Sequence, residues 1–232
     1  SVSAFLLNRS SDLDLKHLRS AILMALSMVV CGSVMAAEKQ FASPDGNVVV
    51  TVSDEGGQPV YQVRLGETVF LQPSNLGLNT NIGDLFQNLT MKDCQVRTVN
   101  DSYTLKTTKQ SQITYEATEA VCQFVQNDRQ VLDVIFRVSN RDVAFRYKLY
   151  PRRARGGETL VAGVESEASG FVLPEGTTTF LCPQSKPMGG FARTSPSYET
   201  SYTLDDAMGK NGWGEGYSFP CLFRVQHVAV PQ

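Results

Sequence analysis

Two neighbouring stretches in the middle of the chain alternate between apolar and polar residues. Within Val131–Tyr150, the apolar positions are Leu132, Val134, Phe136 and Val138, then Val143, Phe145, Tyr147 and Leu149. A period of two with β-branched and aromatic residues is typical of a strand with one buried face. Because only the polar residues 139–142 separate the stretches, an antiparallel hairpin is the simplest interpretation. The rest of the chain must then supply a sheet that covers the apolar face of this hairpin.

The chain on either side of this hairpin reads as short strands separated by turns. A turn at Pro44–Gly46 precedes a valine-rich strand, and Val60–Leu65 and Thr68–Leu71 flank a turn at Gly66–Glu67. Residues 73–84 are rich in Asn and Gly and are predicted to form a loop. No helical stripe longer than two turns follows residue 37. The pattern predicts an all-β fold, an antiparallel β-sandwich, with a barrel as the second choice.

Residues 1–37 have the pattern of a leader. Lys16, His17 and Arg19 precede the apolar run Ala21–Val30, and small residues follow up to Ala37. This order is typical of a secretory signal peptide, whereas a transmembrane helix needs about 20 apolar residues. We expect cleavage after Ala36 or Ala37, with the first 14 residues as an upstream extension. The predicted division is therefore 1–37, extension plus signal-peptide helix, and 38–232, an exported domain without stable membrane insertion.

Composition and cysteine count narrow the class of protein. The 232 residues are 42% hydrophobic and carry a formal net charge of -2. This length suits one sizeable β domain, and the charge gives no electrostatic case for binding nucleic acid. Four cysteines follow the leader, at Cys94, Cys122, Cys182 and Cys221. They allow three pairings, and buried thiols are an equally acceptable interpretation.

Candidate chemistry is confined to carboxylates and aromatic residues. The chain has two histidines, His17 in the leader and His227 near the end, so a Ser-His-Asp mechanism and a histidine-rich zinc site are not expected. Glu199 lies between Tyr198 and Tyr202. Such a carboxylate suits calcium as a hard oxygen ligand, or sugar hydroxyls beside a stacking ring. A solvated glutamate beside packing tyrosines is the alternative, and no carboxylate pair for glycoside hydrolysis is evident.

Six segments in order resemble the N-terminal part of glycoside hydrolase family 97, from about Phe41 to Val225. They are Ser43–Asn47, Ser74–Leu78, Phe136–Ser139, Val143–Tyr147, Tyr198–Glu199 with Tyr202, and Phe219–Arg224. The resemblance implies a β-supersandwich, similar to the galactose mutarotase fold, that packs on a catalytic (β/α)8 barrel. It further implies an exported bacterial enzyme, periplasmic or secreted, that is a calcium-dependent α-glucosidase or α-galactosidase acting on oligosaccharides. The barrel holds most catalytic and metal carboxylates, and the sandwich lends one calcium ligand at the position of Glu199.

The last residues depart from the family pattern. Gln226–Gln232 does not continue as the next apolar strand of the family should. We therefore expect a sandwich that is incomplete at its C-terminal end and inactive without the barrel, with no catalytic residue on this chain. Two alternatives stay open. A stand-alone carbohydrate-binding module should present a plane of exposed aromatic side chains, and a purely structural sandwich should respond to neither calcium nor sugar.

Overall fold

The computed structural model describes residues 37–107, 109, 111–160, 162–183, 203–208 and 217–225. These residues contain a short 3-10 helix at Glu55–Gly57 and no α-helix, and within them no helix has the length and hydropathy needed to cross a bilayer. The strands are β1 (Glu38–Ala42), β2 (Val48–Ser53), β3 (Val60–Leu65), β4 (Thr68–Asn75), β5 (Leu78–Thr80), β6 (Gly83–Leu85), β7 (Thr90–Thr104), β8 (Gln112–Gln126), β9 (Arg129–Val138), β10 (Val143–Leu149), β11 (Arg152–Arg153), β12 (Thr159–Leu160), β13 (Val164–Glu167), β14 (Thr178–Pro183), β15 (Asp206–Ala207) and β16 (Tyr217–Arg224).

The predicted central hairpin is confirmed as β9 and β10. The two strands pair antiparallel, with Val143 opposite Val138 and Leu149 opposite Leu132. The apolar face of β9 is fully buried, at Leu132, Val134, Phe136 and Val138. Each such side chain contributes about 1.5–3 kcal/mol when it leaves water. The alternation in the sequence therefore predicts which residues of β9 are buried in the core.

The hairpin belongs to a four-stranded antiparallel sheet, sheet II, with the order β10-β9-β8-β7. In this sheet β8 pairs with β9 on one side and with β7 on the other. Cys94 on β7 lies directly opposite Cys122 on β8, and the two form a disulfide. The structure thus selects one pairing for two of the four cysteines, which the sequence left open.

A second antiparallel sheet, sheet I, has the order β1-β2-β3-β4 and covers the apolar face of sheet II. Aromatic rings meet between the sheets: Phe41 and Tyr61 lie 5.5 and 5.9 Å from Phe136, centroid to centroid. Tyr61 also lies 5.5 Å from Phe145 on β10. Tilted and edge-on pairs of this kind add about 0.5–1.5 kcal/mol beyond area burial. The predicted antiparallel β-sandwich is confirmed.

The predicted loop at residues 73–84 is wrong. Here β4 continues to Asn75, and β5 and β6 form a sheet with β13 in the order β13-β5-β6. Leu78 and Leu85 face each other across β5 and β6 and are both buried. Gly77 and Gly83 have φ values of +130° and +132°, which only glycine adopts readily. Asn and Gly residues therefore serve the tight bends between very short strands, and the residues between them still pair.

Residues 168–172 run along the edge of β4 and of the link between β4 and β5. The amide of Gln72 donates to the carbonyl of Val172, and the amide of Gly170 donates to the carbonyl of Asn75. The amide of Ala168 donates to the carbonyl of Gly77 in the same way. This segment satisfies backbone groups that would otherwise leave an open sheet edge.

Candidate functional site

A small three-stranded sheet has the order β15-β14-β16, and in the sequence Glu199 lies between β14 and β15. β14 pairs antiparallel with β16 on one side and with β15 on the other. The chain leaves this sheet at Pro183 and is described again at residue 203, so both ends of the intervening segment are tied to one sheet. Glu199, Tyr198 and Tyr202 themselves lie outside the described residues. The role predicted for Glu199 stays a prediction.

Asp205 connects the strands of this small sheet through its side chain. One carboxylate oxygen, Oδ1, accepts a hydrogen bond from Thr178 Oγ1 at 2.9 Å, and Oδ2 accepts one from Arg224 Nη1 at 2.5 Å. Asp205 has a φ of +59°, which places it in a tight turn immediately before β15. Because Asp205 and Arg224 are both partly exposed, their ion pair contributes about 0–1 kcal/mol. Its main effect is to fix where the chain re-enters the sheet.

Three buried carboxylates are the natural candidates for catalytic acids and bases in the described part of the chain. They are Asp54, Glu119 and Asp133. Asp54 accepts backbone hydrogen bonds from Ala37 N at 2.7 Å and from Met91 N at 2.8 Å. These bonds tie the start of β1 and the start of β7 to the turn after β2, which is a structural task.

Asp133 is held by side chains on its own sheet. Gln130 Nε2 donates to Oδ1 at 2.8 Å, and Tyr150 Oη donates to Oδ2 at 2.6 Å. Lys148 Nζ lies 3.7 Å from Oδ2 and donates to Tyr150 Oη at 3.0 Å. The hydrogen bond to Tyr150 and the nearby Asp133 carboxylate raise the pKa of Lys148, which therefore stays protonated. The group forms a closed network at the end of the hairpin.

Glu119 lies between two arginines on the outer face of sheet II. Its Oε1 accepts hydrogen bonds from Arg97 Nε and Nη2 at 2.8 and 2.5 Å, and its Oε2 accepts one from Arg137 Nε at 2.9 Å. Burial alone would raise the pKa of Glu119, but the arginine hydrogen bonds and charges outweigh burial and lower it. Glu119 is therefore ionised at neutral pH, whereas a general acid needs a raised pKa.

Two tyrosines, the buried Tyr61 and the half-buried Tyr147, hold the edge segment 168–172 against the core. Tyr61 Oη donates to the carbonyl of Gly170 at 3.1 Å, and Tyr147 Oη accepts a hydrogen bond from Gly77 N at 2.8 Å and bonds with Ser169. Burial raises the pKa of both phenols, so they remain neutral and keep these hydrogen bonds over the whole physiological range.

An apolar groove of about 450 Å³ opens between sheet I and the start of β10. Its lining includes Leu65, Phe70 and Phe171, whose side chains are 53%, 42% and 67% exposed. Asn140, Arg141 and Asp142 from the β9–β10 turn close one end. Contiguous apolar surface rimmed by polar residues is typical of an interaction site.

The family comparison decides what this sandwich is. The family model described as glycosyl-hydrolase 97 N-terminal matches residues 41–230. The chain belongs to glycoside hydrolase family 97. It matches the N-terminal domain of that family, as the six resembling segments predicted.

Solved structures and a curated relative agree with this assignment. The crystal structure of a β-arabinopyranosidase superposes with a TM-score of 0.70 and 40% identity over 81% of this chain and 30% of its own. A probable retaining α-galactosidase from Streptomyces bingchenggensis is 32% identical over 54% of this chain. A glycoside hydrolase family 97 enzyme from a Pseudoalteromonas species, in complex with panose, superposes with a TM-score of 0.57 over 62% of this chain and 22% of its own, and its 18% identity shows the fold alone.

The chain spans only a fraction of the length of these relatives. It covers 18% of the curated α-galactosidase and 30% of the β-arabinopyranosidase chain. The described residues contain no group of three or more His, Cys, Asp or Glu that could hold a metal ion.

Proposed function

We propose that this chain is the N-terminal β-sandwich domain of an exported, calcium-dependent glycosidase of family 97. The domain supports a (β/α)8 barrel on the same polypeptide and lends Glu199 to a calcium site at the junction. One observation carries the proposal: the family match extends over residues 41–230, nearly the whole chain after the leader. The apolar groove with Leu65, Phe70 and Phe171 is a surface on which such a barrel could pack.

The division of labour follows from the carboxylates. Asp54, Glu119 and Asp133 are all engaged in hydrogen bonds within the sandwich. Glycoside hydrolysis needs two carboxyl groups facing one bond, and in this proposal both lie on the barrel. Bound calcium would supply positive charge near the glycosidic oxygen. The role of this chain is to hold Glu199 in position through the sheet formed by β14, β15 and β16.

The substrate class favoured is a galacto-configured glycoside. Two relatives above 30% identity are named as an α-galactosidase and a β-arabinopyranosidase. A β-L-arabinopyranoside has the ring configuration of an α-D-galactopyranoside and lacks only its hydroxymethyl group. An α-glucoside differs from both at C4. An enzyme selecting the axial C4 hydroxyl would accept the α-D-galactoside and the β-L-arabinopyranoside and reject the α-glucoside.

Export is supported by two independent features. The pattern of residues 1–37 is that of a signal peptide. The disulfide between Cys94 and Cys122 belongs to an oxidising compartment such as the bacterial periplasm or the exterior of the cell. A periplasmic or secreted oligosaccharide-degrading enzyme agrees with both.

The decisive experiment uses the full-length protein that contains this chain. Glu199→Gln should weaken calcium binding in titration calorimetry by at least about tenfold, because it removes a charged ligand. Glu175→Gln, in the turn Pro174–Gly176, is the matched control and should leave calcium affinity unchanged. Wild-type calcium affinity in the Glu199 variant would disprove the ligand assignment.

Substrate choice is tested separately with nitrophenyl glycosides. The full-length protein should hydrolyse the α-D-galactoside and the β-L-arabinopyranoside faster than the α-D-glucoside, and chelation of calcium should slow it. Residues 38–232 alone should hydrolyse none of the three. Preference for the glucoside would refute the substrate class, and turnover by residues 38–232 alone would refute the division of labour.

A further inference from the structure

The hairpin of β7 and β8 extends beyond the rest of sheet II as a two-stranded arm. β9 pairs with β8 only as far as Val138 opposite Thr118. β7 and β8 continue to pair for six further positions, from Val99 opposite Ala117 to Thr104 opposite Gln112. The outer face of this arm is therefore continuous with the outer face of sheet II.

Register places aromatic and cationic residues together on that outer face. Tyr103 lies opposite Ile113, and Tyr115 is two positions along the same strand, on the same side. Arg137 lies opposite Glu119, four positions beyond Tyr115, and Arg146 lies opposite Ile135. Successive side chains alternate between the two faces of a strand, so all of these residues share one surface.

A shallow concavity of about 320 Å³ occupies the centre of this surface. Its lining is Tyr115, Ile135, Arg137, Ala144, Phe145 and Arg146, with no carboxylate among them. Arg137 uses Nε to hold Glu119, and both of its Nη atoms remain for a further acceptor. Arg146 is exposed and, within the described part of the chain, makes no hydrogen bond or ion pair. Two arginines therefore line one concavity together with a half-buried tyrosine.

The carboxylates around the concavity are already engaged. Glu119 is held by Arg97 and Arg137. Asp142 accepts a hydrogen bond from Ser139 Oγ at 2.7 Å, and Asp101 accepts one from Ser102 N at 2.8 Å. Because these anions border the arginines, attraction to a ligand depends on direct contact with Arg137 and Arg146 rather than on a long-range field.

We propose that this concavity binds a uronic acid residue of an acidic glycan. A guanidinium fork matches a carboxylate through two parallel hydrogen bonds, and a tyrosine ring packs against the apolar face of a pyranose. A hexuronate carries both features in one residue. Tyr103, 45% exposed at the arm, extends the surface for a neighbouring sugar. The site is independent of calcium and of the catalytic role proposed above, and it would hold the enzyme on a polymer whose neutral branches it cleaves.

The test uses the whole chain after the leader and four variants. Affinity electrophoresis in gels with polygalacturonate, neutral galactan or a sulfated galactan compares three polymers, and titration with trigalacturonate gives the affinity. Arg146→Gln and Tyr115→Leu should each weaken trigalacturonate binding at least about tenfold, which corresponds to about 1.4 kcal/mol. Arg129→Gln, at the exposed start of β9, is the charge-matched control. Phe70→Leu, at an exposed ring that lines the apolar groove instead, is the aromatic control outside the surface.

Each outcome decides the proposal. Retardation by polygalacturonate alone, lost in the two concavity variants and kept in Arg129→Gln, supports it. If sulfated galactan retards the chain as strongly as polygalacturonate, the site binds anions in general and the proposal of a uronic acid is refuted. If neutral galactan retards it as strongly, the arginines have no role in binding and the proposal is refuted as well. No retardation of the wild-type chain, or wild-type affinity of Arg146→Gln, refutes the site. Melting curves accompany every variant, because a fold defect would lower melting temperature as well as binding.

Discussion

Single residues in this sandwich carry charges and bends that the surrounding strands depend on. Glu119 is a buried carboxylate with two arginine partners, and Gly77 sits where no side chain fits. Neither has a signature in the hydrophobic pattern, because one is polar on a strand face and the other is a glycine in a predicted loop. Their roles follow from neighbours that are distant in sequence.

Glu119→Gln should cost about 1–3 kcal/mol of unfolding free energy at pH 7, since it removes charge-assisted hydrogen bonds. The pKa of Glu119 in the folded protein is lowered below its usual 4.5. A lowered pKa stabilises the folded state above the unfolded value, and this stabilisation is lost as pH falls through the folded value. The gap between wild type and variant should therefore shrink below about pH 4.5 in urea titrations. Glu116→Gln, exposed on the same strand, should show neither effect; a pH-independent gap would contradict the prediction.

Gly77→Ala should destabilise the protein by at least about 2 kcal/mol, from steric overlap added to an unfavourable φ. A Cβ at this position would collide with the Leu85 carbonyl and lie 2.7 Å from Phe86 Cα. Gly66 also has a positive φ, +55°, but its Cβ would meet nothing within 4 Å. Gly66→Ala should thus cost only about 1 kcal/mol. Equal losses for the two variants, measured by urea denaturation, would rule out the collision.

At the scale of elements, the sequence predicted long strands better than short ones. The Val131–Tyr150 hairpin could be predicted because its alternation runs through strands of 10 and 7 residues, β9 and β10. β5 and β6 have 3 residues each, too few for a period of two to stand out among Asn and Gly. For the candidate site, the resemblance predicts Glu199 as a calcium ligand, and this stays a prediction because Glu199 lies outside the described residues. The surface formed by Tyr103, Tyr115, Arg137 and Arg146 was missed, because it depends on the register of four strands.

The disulfide between β7 and β8 should be a major contribution to stability. It closes a loop with a sequence separation of 28, for which chain entropy suggests about 3–4 kcal/mol. The double variant Cys94→Ala with Cys122→Ala should lower the urea midpoint accordingly. Peptide mapping without reductant should recover the two strands linked. Alkylation of both thiols in unreduced, unfolded protein would contradict the bridge.

At the scale of the whole molecule, two sheets make a closed core while one flank remains apolar. The groove beside Leu65, Phe70 and Phe171 lies on the side of β4 and β10, where sheet I and sheet II diverge. Burial of such surface against another domain would be worth about 25 cal/mol for each Å² removed from water. This apolar flank agrees with the proposed packing of the domain against a barrel.

Leu65→Ser together with Phe70→Ser should reduce the fluorescence of a hydrophobic dye bound to residues 38–232. Both side chains are exposed, so unfolding free energy should change by only about 0.5 kcal/mol for each substitution. Leu160→Ser with Val164→Ser, exposed residues that do not line the groove, should leave dye binding unchanged. Equal fluorescence in all three proteins would show that the groove is not the accessible apolar surface.

The arm built by β7 and β8 has a further consequence for local motion. Among the described residues, no third strand lies beside its last six pairs, and an isolated two-stranded ribbon is only marginally stable in water. Amide protons from Val99 to Thr104 should therefore exchange with deuterium by local fraying, while those beside β9 wait for global opening. One hairpin would then contain both rapidly and slowly exchanging amides, and a protease that needs frayed backbone should cut the arm before it cuts the part beside β9.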